Sequence, residues 1–144
     1  MSRLVVDASV AVKWLSQEPE TALANAVFVK HSLTAPDFLV VECANILWKK
    51  NRRGEFALGG YEEALLELEA LVVDLKPMRD FIALAGKFAR DLDHPAYDCA
   101  YLALAADEGA PLVTADMSLI RKLTAARFNE AQVLTLDEAA DLAI

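Results

Sequence analysis

Four carboxylates in this chain stand where a carboxylate is costly. Asp7 ends the apolar run Leu4-Val5-Val6, and Asp116 closes Leu112-Val113-Thr114-Ala115-Asp116. Glu42 interrupts Phe38-Leu39-Val40-Val41-Glu42-Cys43-Ala44-Asn45-Ile46-Leu47-Trp48, and Asp98 interrupts Tyr97-Asp98-Cys99-Ala100-Tyr101-Leu102-Ala103-Leu104-Ala105. Removing an ionised carboxylate from water is expensive, so buried acids are normally paired or bound to a cation. Four that converged would repel one another, which raises their pKa values or draws in a divalent cation. Mg2+ and Mn2+ prefer carboxylate and water oxygens, and such ions can activate a water and clamp a phosphodiester. The two histidines, His31 and His94, are isolated, so no His/Cys cluster points to zinc. Plainer roles exist for each acid. Asp7 and Asp116 are placed to cap the helices that follow them, and Glu42 or Asp98 could face solvent or pair with Arg52 or Lys87.

Small polar residues accompany these acids. Ser9 is two residues after Asp7, Thr114 two before Asp116, and Asn45 three after Glu42 on the same helical face. They are candidates to orient a carboxylate or a water, although helix capping or solvent exposure explains the same residue types. Glu42, Asn45, Lys49 and Arg53 form a stripe down one helix, flanked by Lys50 and Arg52. The acidic centre thus runs into a basic ridge able to meet the phosphates of an entering strand, with Lys13 a further candidate contact. A basic helix end that simply complements the helix dipole gives the same cluster.

The elements that must position these residues alternate. Arg3 to Val6 reads as a buried strand and Ala8 to Leu15 as a helix with Lys13 open to solvent. Pro19 is placed to start a second helix through Lys30. An extended piece, Leu33 to Ala35, ends at Pro36. Asp37 is expected to cap a long helix through Arg53, closed by Gly54. Another helix, Tyr61 to Leu71, carries the acidic face Glu62, Glu63, Glu67 and Glu69. Val72 to Leu75 is a strand stopped by Pro77, and Met78 to Leu92 is helical. Asp93-His94-Pro95 breaks the pattern before the apolar helix Tyr97 to Glu108. A strand Pro111 to Thr114, a helix Ser118 to Ala126, a short strand Val133-Leu134 and a terminal helix Asp137 to Ala143 complete the chain. Short buried strands alternating with helices predict a parallel sheet covered on both faces. In such sheets the active crevice lies beyond the carboxyl ends of the strands, where Asp7 and Asp116 fall.

The 144 residues suit one domain, and 56% hydrophobic residues supply ample core. No apolar run reaches the roughly 20 residues of a membrane span, and no signal-peptide pattern opens the chain, which predicts a cytoplasmic protein. Cys43 and Cys99 lie in apolar helical contexts and are expected to be reduced core residues. A net charge of −8 argues against nucleic acid when taken as a sum. It equally reflects acids gathered around a cation.

The stretches LVVDAS, ECANIL, YDCAYLALA and LVTAD, in this order and spacing, resemble the PIN-domain ribonucleases, most closely the VapC toxins of toxin–antitoxin pairs. Each motif alone is weak; the four together span essentially the whole chain. The resemblance implies a three-layer α/β/α fold with a short parallel central sheet, and an endoribonuclease that uses Mg2+ or Mn2+. It implies that Asp7, Glu42, Asp98 and Asp116 form the metal site, with Ser9, Asn45 and Thr114 in support. The fourth acid is the one that varies most in that family. It further implies an RNA substrate, a small antitoxin partner and a homodimer. His94 is outside the shared pattern and reads as a loop residue. Haloacid-dehalogenase-type phosphotransferases also place an aspartate after the first strand, but they require a second acid where this chain has Ser9. A receiver-type signalling module wants paired acids there and a late lysine, against Thr114-Ala115-Asp116 here. A PIN-like RNA-processing nuclease without a toxin role, or a metal-free acidic interaction module, remains the alternative.

Overall fold

The computed structural model describes residues 3–142. Its centre is a five-stranded, wholly parallel sheet in the order β3-β2-β1-β4-β5. The strands are β1 (Arg3–Val6), β2 (Ser32–Pro36), β3 (Asp74–Lys76), β4 (Leu112–Val113) and β5 (Val133–Leu134). In β1, Leu4, Val5 and Val6 are wholly buried, as a middle parallel strand covered on both faces must be. Each contributes about 1.5–3 kcal/mol of transfer free energy. β1 pairs with β2 through Leu4↔Leu33 and with β4 through Val6↔Val113. The chain therefore leaves β1 and β4 side by side at the same edge of the sheet.

Among the described residues eight α-helices flank the sheet and complete a three-layer α/β/α architecture. They are α1 (Ala8–Leu15), α2 (Thr21–Lys30), α3 (Leu39–Arg52), α4 (Gly60–Glu69), α5 (Ile82–Leu92), α6 (Ala96–Glu108), α7 (Met117–Ala125) and α8 (Leu136–Ala140). α6 lies against β1, β2 and β4 with α5 packed on it, while α1 meets α2, α3 and α4. Residues 99–105 of α6 are all buried, which accounts for its apolar sequence on every face. Gly109 ends α6 in the left-handed region, with φ 63°.

Several boundaries differ from the sequence reading. α2 begins at Thr21, and Pro19 precedes it, because Glu20 adopts a left-handed conformation with φ 70°. Asp37 does not cap α3; Phe38 holds that position without a side-chain bond, and the Asp37 carboxylate accepts from the Met78 amide instead. The helical stretch after Pro77 starts as a 3-10 turn, Met78–Phe81. α8 opens with a capping box between Thr135 and Glu138, and Ala143 lies outside the described residues. Cys43 and Cys99 are free and buried, as expected.

Candidate metal centre

Asp7 is 7% exposed at the carboxyl end of β1, and it does cap α1. Its Oδ1 accepts from the Ser9 hydroxyl at 2.6 Å and from the Val10 amide at 3.2 Å. Burial pushes its carboxyl up to about 6, helped by the charge of Asp98, while the hydroxyls of Ser9 and Thr114 and the Val10 amide pull the other way. Capping and electrostatic coupling thus fall on the same carboxylate.

Glu42 sits in the first turn of α3, half-buried. Burial raises its pKa, the Tyr101 hydroxyl opposes that, and Asp98 adds to it. Tyr101, nearly inaccessible in α6, donates its hydroxyl to Glu42 Oε1 at 2.5 Å. That hydroxyl is held well above its ordinary pKa by burial and by the glutamate. Asp98, in the first turn of α6, has Oδ2 placed 2.5 Å from His94 Nε2. Asp7, Glu42 and Asp98 come from three different elements and act on one another electrostatically. Among the described residues no lysine or arginine forms an ion pair with any of them.

Asp116 is the outlier. Its Oδ1 accepts from the Ser118 amide and hydroxyl and from the Leu119 amide, so it serves as the N-cap of α7. Burial pushes its pKa up, but those donors and nearby His94 outweigh it, and the net shift is downward. Ser9 and Thr114 join the Asp7 and Asp116 loops. The Ala115 amide donates to Ser9 Oγ at 2.9 Å, the Asp116 amide donates to Thr114 Oγ1 at 3.0 Å, and the two hydroxyl oxygens are 3.4 Å apart. Asn45 is exposed on α3. With Glu42, Phe38, Ile82 and Tyr97 it lines a mostly apolar cavity of about 580 Å3 at the edge of the acid cluster.

Each of the four acids has one oxygen fixed by a donor of this chain; Glu42 Oε2, Asp98 Oδ1 and Asp116 Oδ2 meet none among the described residues, and the Asp7 carboxylate also feels the Thr114 hydroxyl. This donor set, all hard oxygen, suits Mg2+ or Mn2+. The thiols of Cys43 and Cys99 are pushed up to about 12 and about 11, chiefly by burial, so they are not thiolate ligands. As the side chains stand, no three acids, histidines or cysteines among the described residues form a finished coordination cage. The donors fit the cation by type, with the final orientation left to binding.

The basic ridge is smaller than the sequence suggested. Lys13 is not open to solvent; it is 7% exposed, with Nζ donating to the Pro19 carbonyl at 2.8 Å and reaching Glu18 at 3.4 Å. Lys50, 8% exposed, meets Glu18 at 2.8 Å and Glu55 at 3.3 Å. Arg53 pairs with Glu55. Lys13 and Lys50 are thereby committed to structural ion pairs, because burying a lysine requires a partner. Lys49 and Arg52 remain exposed without a carboxylate partner among the described residues, and Arg52 stacks on Trp48 at 4.8 Å.

Two residues of the site escaped the sequence reading. Tyr101 follows Asp98 by three, so helical spacing already placed both on one face. His94 precedes Asp98 by four but sits behind Pro95, and the turn signal hid the pairing.

Comparison with known proteins matches this geometry to a family. The PIN domain family model matches residues 4–126. The chain is 36% identical over 126 residues to "Ribonuclease VapC3" of Pyrobaculum aerophilum, covering 85% of this chain and 96% of the relative. The fold is similar to the crystal structure of PAE2754 from Pyrobaculum aerophilum, with TM-score 0.67, 20% identity, and 96% and 94% of the two chains covered. It is also similar to VapBC2 from Rickettsia felis bound to a DNA fragment from their promoter, with TM-score 0.64, 11% identity, and coverage of 92% and 98%. A parallel sheet delivering acids from β1, α3 and α6 to one edge, matched by family over most of its length, makes this chain a member of the PIN-domain family.

Proposed function

We propose that this chain is a Mg2+- or Mn2+-dependent endoribonuclease of the VapC type, the toxin of a toxin–antitoxin pair. The observation that carries the reading is the coupling of Asp7, Glu42 and Asp98 at the crevice end of the sheet with no lysine or arginine paired to them. The 36% identity to a protein named as a VapC ribonuclease supports it. Asp7, Glu42 and Asp98 would hold the cation through their free oxygens, with Asp116 swinging Oδ2 toward it as the fourth donor. When bound, the cation would offset the acids' repulsion and supply Lewis acidity for a water to attack phosphorus, with the P–O3′ bond broken to leave a 5′-phosphate and a 3′-hydroxyl. Ser9 and Thr114 keep the Asp7 and Asp116 loops in register. Asn45 faces the strand beside Glu42, and Lys49 and Arg52 supply phosphate contacts along α3.

The apolar cavity beside Glu42 continues into exposed Val41, Ile82 and Tyr97. An apolar patch rimmed by polar groups is a surface that partners cover. A cognate antitoxin and a second copy of the chain are the partners proposed for this protein. Among the described residues no helix is long and apolar enough to cross a membrane, which accords with the cytoplasmic placement proposed here. The test is incubation of the purified chain with structured RNAs and Mn2+. Cleavage should yield 5′-phosphate ends, stop with chelator and vanish in Asp98→Asn. Cutting that survives either treatment would overturn the assignment.

A further inference from the structure

His94 sits in the turn that closes α5 and opens α6. Asp93 adopts a left-handed conformation at φ 50°, which costs a non-glycine residue of order 1 kcal/mol. Pro95 fixes the next φ at −55°. Between them the His94 amide donates to the Ala89 carbonyl at 3.1 Å, and the buried Cys99 thiol reaches the His94 carbonyl at 3.8 Å. From α7, Lys122 Nζ donates to the Asp93 carbonyl at 2.5 Å. The imidazole, its side chain 14% exposed, ends 2.5 Å from Asp98 Oδ2.

Asp98 lies in the first turn of α6, where an acid commonly serves the free amides of the helix start. The N-cap of α6 is Pro95, which offers no N–H to an acid at the third position, and the Asp98 carboxylate meets His94. The contact from His94 Nε2, on a side chain 14% exposed, is the hydrogen bond that fixes Asp98 among the described residues. Carboxylates that bind metals are commonly fixed by a hydrogen bond to their remaining oxygen.

We propose that His94 is a positioning residue: its Nε2 holds Asp98 Oδ2, so that Oδ1 is presented in one fixed orientation to the divalent cation. This rests on the metal-site reading above and assigns a role to a residue outside the shared acidic motif. The imidazole touches neither substrate nor cation; it acts through Asp98.

The test is Mn2+ binding by the otherwise unliganded chain, read by titration calorimetry and by loss of the free-Mn2+ electron paramagnetic resonance signal. Wild type, His94→Ala, His94→Gln and His94→Asn are compared, each with a thermal melt in chelator. His94→Ala should weaken Mn2+ binding about 10–100-fold. The Gln amide reaches the place of Nε2 and should restore binding to within about threefold of wild type. The Asn amide stops near the place of Nδ1 and should not. The Gln–Asn contrast carries the result even if the alanine variant fails to fold. Equal Mn2+ affinity in wild type and His94→Ala, or equal loss in Gln and Asn, would overturn the positioning role. Absence of Mn2+ binding by wild type would overturn the metal-site reading and this inference with it.

Discussion

At the scale of the residue, Asp7 shows how one side chain serves two masters. Its carboxyl is pushed up to about 6 from an ordinary 3.8, chiefly by burial. The folded chain therefore holds that proton more tightly than the unfolded chain. Below about pH 3.8 the group costs nothing; as pH rises through 6 the ionised form costs on the order of 3 kcal/mol in metal-free protein. Asp7→Asn keeps a good N-cap and removes the charge. In chelator at pH 7.5 it should gain about 1–3 kcal/mol, or roughly 2–10 °C in Tm, and the gain should disappear near pH 4. Thermal melts across pH check this, and a lower Tm at pH 7.5 would make the residue a structural cap alone. The sequence showed which carboxylates were out of place, because an acid inside Leu4-Val5-Val6-Asp7 or Tyr97-Asp98-Cys99 violates an apolar pattern. It did not show what each acid leans on. Tyr101 and His94 look like ordinary core and turn residues until the helices bring them to Glu42 and Asp98.

At the scale of the element, α3 divides its basic residues between two tasks. Lys50 faces inward to Glu18 and Glu55, while Lys49 and Arg52 face outward. Helical periodicity separates neighbouring residues by a wide angle, so adjacent lysines take opposite roles. Lys50→Ala should lower stability by about 1–3 kcal/mol, because it strands partly buried carboxylates. Its effect on RNA affinity should be small. Lys49→Ala and Arg52→Ala should leave Tm within about 2 °C and each reduce the salt slope of RNA binding by about one. Melting curves and filter binding with the Asp98→Asn chain at several salt concentrations distinguish the two groups; RNA binding lost through Lys50 alone would reverse the assignment. The spacing Glu42-Asn45-Lys49-Arg53 made the ridge visible in the sequence. Its inward half was invisible, because the partner Glu18 comes from the connection after α1, and only tertiary packing brings it to Lys50. β1 and β4 were legible for the opposite reason, since a buried parallel strand is apolar by itself; β3 is a largely exposed edge strand, and it runs Asp74–Lys76 where the sequence predicted Val72 to Leu75.

At the scale of the molecule, the proposed function requires a chain of net charge −8 to approach a polyanion. Added Mg2+ ordinarily weakens protein–RNA contacts by competing for phosphate. In the proposed site the acids would face the phosphate, so neutralising them should dominate. RNA affinity of the unaltered chain, measured at constant ionic strength with Ca2+ in place of Mg2+ to limit cleavage, should rise about threefold or more between chelator and a few millimolar Ca2+, then fall at higher concentrations. A monotonic fall would mean that RNA binds away from the acids. The sheet order adds a consequence of another kind. β1 occupies the middle of the sheet, yet its neighbour β4 begins only at Leu112, more than a hundred residues later. Such distant parallel pairing closes late in folding. Asp7 precedes β4 by more than a hundred residues, and it acquires its surroundings only after that strand has been made. The proposed centre therefore cannot assemble on a partial chain that stops short of Leu112, and it stays silent until β4 has been synthesised.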